Sequence, residues 1–98
     1  MDELREVAIA RVRTGDGKTT ASDRQAAYDN TLPASHPAAA LCAKVAKNAY
    51  KVTDEDVAAV VAAGLAEDQV FELVVAAAMG QSSRQLASAL ALLDQVPA

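Results

Sequence analysis

Residues Val52 to Leu93 read VTDEDVAAVVAAGLAEDQVFELVVAAAMGQSSRQLASALALL. Thr53 supplies a side-chain oxygen for a helix N-cap, and Asp54, Glu55 and Asp56 crowd the first turn, where carboxylates suit the positive end of the helix dipole. Val57, Val60 and Val61 recur as the apolar face. Gly64 stands where a left-handed C-cap residue is expected, and Leu65 follows it to pack across the junction. A longer and more apolar helix then opens at Glu67 and Asp68 and runs to about Leu93. Val70, Leu73, Val74, Ala77 and Ala78 make its stripe, which Leu86, Leu90 and Leu93 extend. Gly80 interrupts this helix at a cost of up to about 1 kcal/mol, which calls for a close helix crossing or a kink.

Upstream, the same reading gives three more helices and no strand. Asp2 to Val12 reads as a short helix with Leu4, Val7, Ile9 and Val12 as its apolar positions. Thr14 to Thr20, TGDGKTT, reads as a turn; its Gly-x-Gly-Lys-Thr-Thr lacks the first glycine of a phosphate loop, because Val12 stands at that position. Ser22 is placed to cap a helix that ends near Asn30, and Leu32-Pro33-Ala34 breaks the chain. Ser35 is placed to cap the next, with Pro37 in its first turn and Leu41, Val45 and Ala49 as its buried stripe to about Tyr50. The expectation is one all-α domain over residues 1–98, a small helical bundle of about five helices.

Bulk composition sharpens this. Of the 98 residues 52% are hydrophobic but only 3% aromatic, so the apolar content is mostly Ala, Val and Leu. Alanine favours helix and close approach but buries little area, and a domain of this size has a modest core. Self-association into a homo-oligomer follows as an expectation. A net charge of −4 and a pI near 4.7 provide no footprint for nucleic acid. Lys44, Lys47 and Lys51 recur at helical spacing and read as the solvated face and C-terminal end of one helix. No apolar run reaches membrane-spanning length, and MDELREVAIARVR lacks the basic and apolar regions of a signal peptide, so a soluble cytoplasmic protein is expected.

The residues capable of chemistry are few. Cys42 is the only cysteine; Val45 occupies the place of a second thiol in a Cys-x-x-Cys pair, so Cys42 reads as a buried structural thiol or a lone redox-sensing one. His36 is the only histidine, set before Pro37 at a helix start, where a neutral imidazole is able to act as a base. One histidine and one cysteine give no metal-ligand spacing, and no cofactor motif is present. Glu72 lies between Phe71 and Leu73 on the most apolar helix, with Arg84 further along it. If buried, Glu72 would suit general acid or base work; the alternatives are an exposed position or a structural ion pair. Gln81, Ser82, Ser83 and Gln85 form a polar patch beside Arg84, either lining a pocket or facing solvent.

The acidic cap Val52-Thr53-Asp54-Glu55-Asp56-Val57, the Ala63-Gly64-Leu65 turn and the run Glu67-Asp68-Gln69-Val70-Phe71-Glu72-Leu73-Val74, in this order, resemble the alkyl hydroperoxidase D-like / carboxymuconolactone decarboxylase family. The resemblance covers roughly residues 41–93. In that family the long apolar helix ends in an Asn-Arg pair; Arg84 matches the arginine, and Ser83 replaces the asparagine. The resemblance implies an all-helical fold and assembly into dimers, trimers or hexamers. Its peroxidase members use a Cys-x-x-Cys motif followed by a histidine and fed by a glutamate, which this chain lacks. The first expectation is therefore a non-redox member with a binding or accessory role. The second is a small-molecule lyase or isomerase of the decarboxylase branch, with a pocket near Glu72 and Arg84 at a subunit interface and His36 as a further candidate. The third, a thiol-dependent peroxidase relying on Cys42, is the one the residues argue against.

Overall fold

A computed structural model describes residues 19–95. The helix expected over Asp2 to Val12, and all but the end of the TGDGKTT turn, lie outside the described residues. Those residues form four α-helices and one 3-10 turn: α1 (Ala21–Asp29), α2 (Ala39–Asn48), the turn Ala49–Lys51, α3 (Asp54–Ala62) and α4 (Glu67–Asp94). Each answers to one of the expected helices, and no strand occurs among the described residues.

Helix starts differ from expectation where two side chains compete for one cap. Thr20, not Ser22, caps α1: its hydroxyl accepts from the Asp23 N–H at 3.1 Å, which leaves Ser22 inside the first turn. The helix ends as expected at Asn30, which adopts the left-handed conformation (φ 58°). There the Thr31 N–H reaches back to the Ala26 carbonyl at 2.8 Å, closing a Schellman-type end. The second correction concerns α2, which begins at Ala39 rather than at Ser35. Residues 33–38 are instead turns, and the Ala38 N–H is satisfied by His36 Nδ1 at 3.0 Å. The buried side of α2 is Leu41, Cys42, Val45 and Ala46, whereas Ala49 falls in the 3-10 turn and is exposed.

The junction that decides the fold is built from its local chemistry. Thr53 and Asp56 form a reciprocal capping box, with Asp56 Oδ2 accepting from the Thr53 N–H at 2.9 Å and Thr53 Oγ1 from the Asp56 N–H at 3.3 Å. Gly64 has φ 114°, a conformation that L side chains rarely adopt, and the chain turns there into α4. Val60 is the buried residue of α3; Val57 packs against the core, and Val61 is 37% exposed.

The 28-residue helix α4 is the spine of the molecule. It runs without interruption through Gly80, so the close crossing, not the kink, explains that glycine. A Cβ at Gly80 would fall on the Tyr28 carbonyl oxygen and 2.7 Å from its carbon. The core consists of Ala27 from α1, Ala38, Leu41, Cys42 and Val45 around α2, Val60 from α3, and Val70, Leu73, Ala76 and Ala77 from α4. Much of it is alanine, which gives close contact and little buried area per residue. Leu86, Leu90 and Leu93 do not extend the buried stripe; they are 41%, 52% and 65% exposed. From Leu73 to Leu93 the phase advances by roughly 200° beyond whole turns, so these leucines lie on the opposite side of α4 from Leu73 and Ala77.

Candidate functional site

The two polar exceptions on α4 both act on α1. Thr19, just before α1, donates from its N–H (3.3 Å) and its hydroxyl (3.1 Å) to Glu72 Oε1. At the other end, Arg84 Nη1 donates to the Tyr28 carbonyl at 2.6 Å, while Nη2 reaches Gln81 Oε1 at 3.2 Å. Tyr28 adds a hydroxyl bond to Ser83 Oγ at 2.8 Å. Thr19 lying by Glu72, and Tyr28 by Arg84, means that α1 runs parallel to α4. Glu72 therefore sits at the positive end of the α1 dipole and Arg84 at its negative end, each where its charge is stabilising. Glu72 and Arg84 are about 18 Å apart along the axis; the fold does not bring them to one point.

His36 links α1 to the approach to α2. Its Nδ1 accepts from the Ala38 N–H at 3.0 Å, so the Nε2 carries the proton and faces Asp23 Oδ2 at 3.3 Å. These two contacts hold the ring as a strut, with its side chain 16% exposed. Next to Asp23 lies a residue that the sequence pattern does not single out. Arg24 is 5% exposed, and its Nε approaches the Thr20 carbonyl at 3.5 Å. An arginine among polar neighbours at a helix start carries no sequence signal of burial.

Cys42 is enclosed as well. It is 2% exposed, and its Sγ lies 3.7 Å from the Leu73 carbonyl oxygen. Burial pushes its thiol up to about 11, so at neutral pH it is protonated and a poor nucleophile. It borders a cavity of about 440 Å³ between α1 and α2, with Ala27, Asn30, Leu32 and Lys47 among its walls. A second recess of about 390 Å³ lies between α2 and α3, where Lys44 Nζ donates to Asp56 Oδ2 at 2.7 Å. Of the polar patch beside Arg84, Gln81 and Gln85 line a shallow groove of about 480 Å³ together with Arg84, Ser88 and Leu92, whereas Ser82 and Ser83 do not line it.

None of these recesses joins two of the candidate residues Glu72, Arg84, His36 and Cys42. Among the described residues no cluster of His, Cys, Asp and Glu could hold a metal ion. No helix of the described residues is long and apolar enough to cross a membrane. Comparison of the chain with protein-family models, curated proteins and solved structures finds no match.

Proposed function

We propose that this chain is a shortened, non-redox relative of the alkyl hydroperoxidase D-like / carboxymuconolactone decarboxylase proteins, a self-associating helical protein with a binding or accessory role in the cytoplasm. The family reading rests on the ordered acidic cap, Gly-Leu turn and apolar helix, which form the α3–Gly64–α4 junction. The observation that carries the functional reading is that α4 is apolar on both sides. One side holds the core, and the other leaves Phe71, Leu86, Leu90, Leu92 and Leu93 between 41% and 69% exposed. A helix apolar all round normally lies between partners. Covering these side chains is worth on the order of 1 kcal/mol each, a gain shared by both members of a symmetric pair.

The chemistry of the alternatives is weaker. A peroxidase cycle needs a thiolate and a resolving thiol, whereas Cys42 is the only cysteine and burial keeps it protonated. A lyase or isomerase needs its acid, base and anion partner around one substrate; Glu72 and Arg84 are instead bonded to opposite ends of α1. Light scattering across a concentration series tests the reading. Mass rising from monomer to a closed oligomer is expected, and a monomer persisting into the high micromolar range would overturn it.

A further inference from the structure

We propose that the outward side of α4 pairs with the same side of a second copy in antiparallel orientation, with the two-fold axis at the level of Arg84. This rests on the self-association proposed above and specifies its surface. Val75, Met79, Ser82, Leu86, Ala89 and Leu93 recur at alternating steps of four and three, the seam of a two-helix coil. They lie opposite Leu73, Ala77 and Gly80, which are buried against the rest of the molecule. Val75 and Met79 are partly covered by their own chain, and the other four are exposed. Along the seam smaller and larger residues alternate. Antiparallel pairing sets Leu93 against Val75, Met79 against Ala89 and Leu86 against Ser82, one larger and one smaller side chain in every layer. Leu92, 64% exposed, then flanks Ala78 of the other copy. Parallel pairing would stack Leu86 on Leu86 and Ala89 on Ala89, so that overfilled and underfilled layers alternate, which close packing disfavours.

Charge selects the same occupant. Between Glu72 and Asp94 the only charged residue of α4 is Arg84, which points to the core side and is bonded to the Tyr28 carbonyl. An identical charge-free face buries no ion on docking, whereas a charged partner would bury charges without counterparts. Antiparallel helices also align their dipoles favourably. The seam is about 28 Å long, and half the lateral surface of a helix about 11 Å wide over that length is roughly 500 Å². Two copies bury about 1,000 Å², the lower bound for a specific interface, so a micromolar dimer is expected rather than a nanomolar one.

Two single-cysteine additions at the seam, Val75→Cys and Leu93→Cys, test the orientation with a short thiol cross-linker. The parent protein is the control, since Cys42 is buried. In the antiparallel dimer two copies of position 75 are about 27 Å apart, beyond the linker, and so are two copies of position 93. Covalent dimer should therefore appear only when the two variants are mixed. Self-cross-linking of either variant alone as readily as in the mixture would overturn the proposal. So would a mixture that stays uncross-linked while light scattering still reports an oligomer; the interface would then lie elsewhere, and self-association would stand. A protein that scatters as a monomer throughout would remove both.

Discussion

Gly80→Ala separates a packing role from a helical one because the two act with opposite sign. In an uncrowded helix the change stabilises by about 1 kcal/mol, since alanine loses less backbone entropy than glycine. Here the added methyl would fall on the Tyr28 carbonyl oxygen, 2.7 Å from the carbonyl carbon and 3.0 Å from the Cα. These are backbone atoms and cannot rotate aside, so α1 must move away from α4. Such overpacking costs typically 1–3 kcal/mol, about 2 here. The shift also loosens the Arg84 bond to the Tyr28 carbonyl and the Tyr28–Ser83 bond. Each is worth about 1 kcal/mol once solvent exposure is allowed for. After the propensity gain is subtracted, a net loss of about 3 kcal/mol remains, against a total stability on the order of 5–15 kcal/mol for a chain of this length. Urea unfolding followed by far-ultraviolet circular dichroism, with protein concentration held fixed because association contributes to stability, reads this directly. A midpoint equal to or above that of the parent would refute the close crossing.

Four further outcomes follow from the structure. The Cys42 thiol, raised from 9.0 to about 11 by burial, should resist alkylation at pH 8 until denaturant is added; labelling of the native protein at the rate of a small thiol would contradict its enclosure. Because the unfolded thiol ionises first, this group's contribution to stability should fade as pH rises from 9.0 towards about 11, a loss that Cys42→Ser abolishes in pH-dependent unfolding curves. The Lys44 ammonium, and then the Thr53 N–H, hold the Asp56 carboxyl below its ordinary 3.8. Stability from this contact is present above that value and is lost as pH falls through the lowered one, so parent and Lys44→Met should converge in acid unfolding; a gap that stays constant down to about pH 2 would refute the link. Leu86→Lys, at a position 41% exposed, should leave the circular dichroism spectrum intact and shift the scattering mass to that of a monomer; an unchanged oligomer would place the interface away from the seam.

The parts of the fold legible in sequence are those whose causes are local. The Thr53 cap, the positive-φ Gly64 and the acidic opening of α4 each need only a few neighbouring residues, and each stands where the sequence puts it; the reciprocal bond from Asp56 is seen only in the structure. Ser22 and Ser35 mislead because a capping residue competes with its neighbours: Thr20 takes the Asp23 N–H, and His36 Nδ1 takes the Ala38 N–H that a cap at Ser35 would itself need. The leucines of α4 misled through phase, since regular spacing among Leu86, Leu90 and Leu93 does not tell which side they share with Leu73. Glu72 and Arg84 were visible as exceptions, but their roles were not. Their partners Thr19 and Tyr28 lie 53 and 56 residues away in the chain, beyond the reach of any local pattern.

Those separations bear on how the chain folds. Helical proteins fold fast when contacts join sequence neighbours, and slowly as the loops that must close grow longer. Here the parallel α1 and α4 are joined by the Gly80 crossing and the bonds at Glu72, Ser83 and Arg84, while α2, the 3-10 turn and α3 occupy the chain between them. The capping box and the Gly64 turn can organise α3 and α4 early, because they cost little loop closure. Docking of α1 must wait for the intervening chain to be in place, so substitutions at Tyr28 or Gly80 should accelerate unfolding more than they slow refolding.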